Sequence, residues 1–80
     1  MEQFTKEITV GKEKRRFYFN RMRNANGVKF FITSHDDNNK AIAFSLTEKD
    51  KADWKLLPGS ARWLYAIESQ LSDAIVDTRL

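Results

Sequence analysis

The sequence contains no cysteine, and it has only one proline, three glycines and one histidine among its 80 residues. Without cysteine the chain has no disulfide framework and no thiolate metal site, and nothing argues for an oxidising compartment. The first residues lack the basic start and apolar run of a signal peptide, and no stretch approaches the roughly 20 apolar residues of a membrane span. We therefore expect a soluble intracellular protein, in the cytoplasm, nucleoid or nucleus, that is not secreted and has no membrane partner.

Motifs for catalysis are also missing. His35 precedes Asp36 and Asp37, but a lone histidine in a run of Asp and Asn is far more often a surface residue than a metal ligand or an acid–base catalyst. No Gly-rich phosphate loop or nucleophile motif is present. We therefore expect no enzymatic activity, no metal site, no other cofactor and no small-molecule substrate.

The length of the chain predicts a single small domain over residues 1–80, and a domain of this size buries little surface by itself. A partner subunit would add to the surface that such a small domain buries. The net charge of +3 is unevenly placed, because residues 11–30 hold seven Lys or Arg and one acid, whereas residues 41–80 hold five bases and six acids. The positive field therefore belongs to the first half of the chain.

Residues 15–33 read as a β-hairpin that turns at Asn26-Gly27, since both residues tolerate the positive φ angles of a type I′ turn. This turn predicts that Ala25 faces Val28 and that Asn24 faces Lys29. Directly paired residues share a face, so the hairpin divides into two sets. The first has the composition of a core and consists of Phe17, Phe19, Phe30 and Ile32, with Arg21 and Arg23 towards the tip. The second mixes aromatic, amide and basic side chains and consists of Arg16, Tyr18, Asn20, Met22, Asn24, Lys29, Phe31 and Thr33.

Two further strands are expected beside this hairpin. Residues 4–10 are rich in β-branched side chains, with Phe4, Ile8 and Val10 on one alternating face, and residues 41–46 alternate apolar with small side chains. The fold class expected is α+β, a four-stranded antiparallel β-meander followed by a C-terminal helix (ββββα). The helix would cover one face of the sheet and leave the other face open.

The second half of the chain carries the helix signals. Thr47 before Glu48-Lys49-Asp50 predicts the N-cap and acidic first turn of a short helix, which Pro58-Gly59 ends. Ser60 then predicts the cap of a longer helix that reaches about Asp77. Its buried side is expected to hold Leu64, Ile67, Leu71, Ala74 and Ile75, and its solvated side Arg62, Ser69, Ser72 and Asp73.

The hairpin carries Arg16-Phe17-Tyr18-Phe19-Asn20, Asn24, Gly27, Phe30 and Ile32, and in these residues it resembles the PUR repeat, the module of purine-rich-element-binding proteins that bind single-stranded DNA and RNA. The order of strands and helix is also similar to that of the Whirly proteins and of single-stranded-DNA-binding transcriptional coactivators. The resemblance implies a fold in which two repeats intertwine, so a chain with one repeat would be a homodimer.

The resemblance also implies that nucleic acid lies across the exposed strand face. The family uses a basic residue two positions before a conserved Asn, the Asn itself and basic residues after it, and these positions hold Met22, Asn24 and Asn26 here. The cations of this chain stand instead at Arg21, Arg23 and Lys29. The segment 48–59, between the strands and the last helix, is a second departure from the typical repeat.

We therefore expect binding of single-stranded DNA or RNA by stacking, by amide contacts to base edges and by phosphate contacts. Tyr18 and Phe31 are the stacking candidates, and Asn20 and Asn24 are the amides. The phosphate contacts are expected from Lys12, Lys14, Arg15, Arg16, Arg21, Arg23 and Lys29. The nucleic-acid-binding set is Arg16, Tyr18, Asn20, Arg21, Met22, Arg23, Asn24, Lys29 and Phe31. The alternative is a protein-interaction or dimerisation module on the same fold without nucleic-acid binding, as Met22 and Asn26 at the cation positions would allow.

Overall fold

The structure is a computed structural model that describes residues 3–25, 27–36, 38–50 and 53–78. Five strands form one antiparallel sheet in chain order, and two helices follow them. The strands are β1 (Gln3–Val10), β2 (Glu13–Asn24), β3 (Gly27–His35), β4 (Ala41–Asp50) and β5 (Asp53–Leu56), and the helices are α1 (Arg62–Tyr65) and α2 (Glu68–Thr78). The sheet curls as a half-barrel around α2, which contacts both β1 and β5. The α+β class and the antiparallel meander are confirmed, with one strand more than expected.

The core lies between the concave face of the sheet and the two helices. Phe17, Phe19 and Ile32 are completely buried there, as the alternation of the hairpin predicted. Phe4 of β1 stacks on Phe19 with ring centroids 4.4 Å apart, and its edge meets Phe30. Such aromatic pairs contribute about 0.5–1.5 kcal/mol beyond their buried area, so β1 is held by its side chains as well as by its main-chain ladder.

The register of the β2–β3 hairpin differs by two residues from the predicted one. Asn24 pairs with Gly27, and Met22 pairs with Lys29, so Gly27 belongs to the ladder of β3 and not to the loop, and the predicted pairs Ala25–Val28 and Asn24–Lys29 are not formed. Gly27 has a φ of +122°, and it uses this conformational freedom as the first residue of β3 rather than within the loop. A shift of two residues returns every side chain to the same face, so the predicted division of the hairpin into two faces is confirmed. Asn26 itself and the Asn24 side chain lie outside what the structure describes.

The prediction of a short helix after Thr47 is wrong, because β4 continues to Asp50 and Thr47 pairs with Lys55 of β5. Trp54 and Leu56, two residues apart, are both buried, which is the period of a strand and not of a helix. Their N–H groups point away from β4 and donate hydrogen bonds to side chains of α2. The Trp54 N–H donates to Ser72 Oγ at 3.1 Å, and the Leu56 N–H donates to Glu68 Oε2 at 2.8 Å.

The C-terminal helix is interrupted and is not capped by Ser60. The Ser60 hydroxyl donates instead to the carbonyl of Leu57 at 2.7 Å, and α1 begins after Ala61 without a side-chain cap. The predicted buried positions are confirmed, whereas Ser72, expected in solvent, is buried. The buried positions that the sequence predicted are Leu64, Ile67, Leu71, Ala74 and Ile75.

No helix within the described ranges is both long enough and apolar enough to cross a membrane.

The bond between Ser72 and Trp54 gives a test of the β5–α2 contact. Ser72→Ala leaves the buried Trp54 N–H without its acceptor, and we expect the free energy of unfolding to fall by about 1–3 kcal/mol. Ser69→Ala is the matched control, because Ser69 lies on the same helix but is exposed, and its effect should stay within about 0.5 kcal/mol. Urea unfolding followed by tryptophan fluorescence measures both. Equal effects of the two substitutions would contradict this arrangement.

Candidate nucleic-acid interface

The face of the sheet opposite α2 carries an exposed apolar patch on β2 and β3. Tyr18 is 43% exposed, Met22 45% and Phe31 38%. They alternate with Phe17, Phe19, Phe30 and Ile32, which point into the core, so the strand period places them on the outer side. No element of the described ranges packs on them. A cluster of large apolar side chains on an otherwise polar surface is typical of a binding site.

The register makes this patch continuous across the two strands. Phe31 pairs with Asn20, and Tyr18 pairs with Thr33, so Tyr18 and Phe31 are diagonal neighbours on the sheet. Diagonal neighbours have their side chains about 7–8 Å apart. The two rings and the adjacent amide of Asn20 therefore form one surface.

Two of the predicted cations border this patch on the same face. Arg16 lies at one end, in an exposed position opposite Glu7 of β1, and Lys29 lies at the other end, directly across from Met22. Neither forms an ion pair with a described residue. Their charges are therefore available to an anionic ligand.

Arg21 and Arg23 lie on the other face of the same hairpin. Arg21 pairs with Phe30 and Arg23 with Val28, so both share the side that carries the core. The structure thus divides the predicted binding set into two groups. Arg16, Tyr18, Asn20, Met22, Lys29 and Phe31 are brought together on the open face, and Arg21 and Arg23 are separated from them.

Arg15, one of the predicted phosphate contacts, is engaged inside the protein. Its side chain is only 10% exposed, its guanidinium carbon lies 5.3 Å from the centroid of the Trp63 ring, and Nη1 donates to the carbonyl of His35 at 3.1 Å. This disagrees with the prediction, because Arg15 faces α1 while its neighbours Lys14 and Arg16 face the opposite side. Cation–π and main-chain contacts give the side chain a structural role.

The open face continues onto β4, which sequence patterns did not indicate. Ser45 pairs with Phe31, and Thr47 pairs with Lys29. Both residues are half-buried, and their hydroxyl groups extend the polar border of the patch. Only the register of the folded sheet reveals this, since small polar residues in a strand carry no signal of their own.

The chain leaves β3 after His35 and enters a loop at Asp36. Asp36 Oδ1 accepts the N–H groups of Asn38 and Lys40, both at 2.9 Å. These bonds, that of Lys40 first, hold the pKa of the Asp36 carboxyl below its usual value. His35 is exposed, and within the described ranges no three His, Cys, Asp or Glu side chains are grouped to hold a metal ion. Asp37 lies outside the described residues.

Comparison with known proteins adds no relative to this description. No family model, no curated protein and no solved structure matches the chain. The assignment of a function therefore depends on the residues and geometry of the open face.

The Asp36 loop predicts a dependence of stability on pH. Because the pKa of this carboxyl is lower in the folded than in the unfolded protein, its stabilising effect is complete above the ordinary value of about 3.9 and is lost as the pH falls through the folded pKa. Asp36→Asn keeps an acceptor oxygen but removes the charge. The difference in unfolding free energy between the two proteins should therefore be constant near neutral pH and shrink below about pH 4. A difference that does not change with pH would contradict this role of the charge.

Proposed function

We propose that this protein binds single-stranded DNA or RNA on the open face of β2 and β3. The observation that carries the proposal is the joint placement of exposed Tyr18, Met22 and Phe31 between Arg16 and Lys29. Bases of a single strand stack on such aromatic rings, each stack contributing about 1–3 kcal/mol, while cations beside the rings contact the phosphates. The face offers both groups on one surface.

A single strand suits this face better than a duplex. The rings of Tyr18 and Phe31 lie on a strand surface and not on a protruding helix, so they contact only bases that are already unstacked. Asn20 is adjacent to both rings, since it pairs with Phe31 and follows Tyr18 by two residues on the same face. Its amide has both a donor and acceptors for the base edges that a single strand leaves unpaired.

The resemblance to the PUR repeat supports the same proposal. That family carries a basic residue at the position of Met22, and in this chain Lys29 stands directly across from Met22 on the adjacent strand. Directly opposed side chains lie about 4.5–5.5 Å apart, so the positive charge is displaced by one strand and remains on the same surface. We extend the proposal to a PUR-like homodimer with a regulatory or nucleic-acid-chaperoning role inside the cell.

The second candidate function is a protein-interaction module that uses the same face. Aromatic residues and Met are enriched at protein interfaces, and Met22 is the most exposed member of the patch. Stacking of bases does not require a Met, so this residue favours a protein partner. The two candidates differ in their dependence on salt, because phosphate contacts release counterions and apolar contacts do not.

Fluorescence anisotropy with a labelled single-stranded oligonucleotide and the matching duplex tests the proposal. We expect preference for the single strand and an affinity that falls as salt is raised, since phosphate neutralisation releases counterions. An unlabelled oligonucleotide in competition excludes binding through the dye. Absence of binding at low salt would refute the proposal and favour the protein-interaction module.

Substitutions on the two faces of the hairpin locate the site. Tyr18→Ala or Phe31→Ala should weaken binding by roughly 5- to 150-fold, the equivalent of about 1–3 kcal/mol, with little change in the salt slope. Arg16→Ala with Lys29→Ala should lower the slope of log affinity against log salt by about 1.4, since each single-strand phosphate contact contributes about 0.7.

Arg21→Ala with Arg23→Ala is the matched control, because it removes the same charge from the opposite face. We expect a smaller change in slope from this pair. A larger effect from Arg21 and Arg23 than from Arg16 and Lys29 would move the site to the hairpin tip and the helix-covered side. Circular dichroism of each variant establishes that the fold is retained.

A further inference from the structure

The open face of the sheet extends beyond β2 and β3 onto β1. Gln3 of β1 pairs with Asn20. Two residues further along, Thr5 pairs with Tyr18. Directly paired residues share a face of the sheet, so these two β1 side chains stand on the same side as the aromatic patch. Both are exposed, and the open face is therefore wider than the two strands that carry the rings.

A depression of about 360 Å³ lies on this part of the sheet. Four of its lining residues, two from each strand, belong to the open face, whereas the rings of Phe4 and Phe19 stack on each other on the core side. The four side chains therefore form the walls, and the main chain of the two phenylalanines forms the floor. Small ligand pockets begin at about 300 Å³, so the depression is large enough for a small planar group. Its walls are Gln3, Thr5, Tyr18 and Asn20.

The polar groups in these walls are available to a ligand. The side chains of Gln3, Thr5 and Asn20 form no hydrogen bond with any other residue that the structure describes. Each amide has a carbonyl acceptor and an NH₂ donor, and the threonine adds a hydroxyl. Because Gln3 and Asn20 are directly paired, their side chains start from Cβ atoms about 4.5–5.5 Å apart. A planar ligand whose edge carries both donors and acceptors can therefore bond to both amides.

The charges on the open face differ between the strands. β2 and β3 place Lys14, Arg16 and Lys29 there, whereas the described residues of β1 place one carboxylate, Glu7, and no cation. A phosphate chain is attracted to the first two strands and repelled by the third. The depression beside β1 is thus suited to the uncharged part of a nucleotide, which is the base.

Tyr18 connects this depression to the aromatic patch. Its side chain is one wall of the depression, and it is also the diagonal neighbour of Phe31. A base that stacks on Tyr18 therefore has the amides of Gln3 and Asn20 beside its edge. Stacking and phosphate contacts accept any base, whereas hydrogen bonds to base edges depend on which base is present.

We propose that the depression between β1 and β2 is the subsite in which this protein reads the edge of an unpaired nucleobase. Gln3 and Asn20 are its hydrogen-bonding amides, and Thr5 is a further polar contact. The inference rests on the proposed single-strand binding and adds the part of it that depends on base identity. The exposed rings and the cations of the open face then hold any strand, and the amides distinguish between bases.

Two oligonucleotides that differ only in the hydrogen bonding of their bases test this subsite. One is an oligothymidylate. In the other, of equal length, every thymine is replaced by difluorotoluene, which has the shape of thymine but lacks its hydrogen-bonding edge. Fluorescence anisotropy at one low salt concentration gives the ratio of the two affinities. We expect the unaltered protein to bind the substituted strand roughly 5- to 150-fold more weakly, the effect of losing a bidentate contact to a base.

The double variant Gln3→Ala with Asn20→Ala links this ratio to the depression. It should bind the oligothymidylate more weakly and the substituted strand as before, so the two affinities become similar. Gln3 is exposed and Asn20 is half-buried on the outer face, so the core stays intact. Phe31→Ala should weaken both oligonucleotides by the same factor, because it removes stacking alone. Gln70→Ala is the matched control, since this exposed glutamine lies on α2, and it should leave both affinities unchanged.

The outcomes separate the subsite from the function on which it rests. Equal binding of the two oligonucleotides by the unaltered protein would overturn the subsite and leave the proposed function standing. A double variant that keeps the original ratio would do the same. Absence of binding of either oligonucleotide at low salt would refute the proposed function and the subsite together.

Discussion

The two hydrogen bonds from the β5 main chain to α2 decide how the rest of the molecule is arranged. The acceptors Ser72 and Glu68 lie one helical turn apart, and the donors Trp54 and Leu56 lie two strand residues apart. These spacings, about 6 Å along a helix and about 7 Å along a strand, match closely enough for both bonds to form. They align the helix along the edge strand and direct its apolar side into the concave face, so the helix can cover only that face.

The uncovered face is therefore a direct consequence of where the helix lies. A sheet with one covered side normally places polar residues on the other. Here β2 and β3 place Tyr18, Met22 and Phe31 among polar and basic neighbours instead. Neither core packing nor main-chain pairing accounts for that choice of residues. This surplus of apolar surface, together with the cations beside it, is the physical basis of the proposal that a ligand binds on this side of the molecule.

Sequence patterns predicted the features that depend on neighbours along the chain. Alternation alone placed Phe17, Phe19, Phe30 and Ile32 in the core, and this division tolerates a register error of two residues. The register of the β2–β3 hairpin does not follow from the sequence. An Asn-Gly pair suits the two central positions of a loop, and it suits equally a loop whose next strand begins with a glycine of positive φ. The segment Glu48-Lys49-Asp50 suits a helix start as well as a strand. Only the contacts of β5 with a helix that follows it in the chain decide between the two, and local patterns do not contain them. Arg15 was misassigned for the same reason, since Trp63 lies far from it in sequence.

The engagement of Arg15 has a consequence for experiments in concentrated salt. This guanidinium joins β2, the last residue of β3 and the ring of Trp63 through a main-chain hydrogen bond and a cation–π contact, whereas its ion pair with exposed Glu13 spans 3.8 Å. Salt screens exposed ion pairs strongly and buried or neutral partners much less. The contacts of Arg15 with Trp63 of α1 and with His35 of β3 are thus expected to persist at ionic strengths that weaken surface charges. In the oligonucleotide titration proposed above, a loss of affinity at high salt would therefore report on the proposed site and not on unfolding of the protein beneath it.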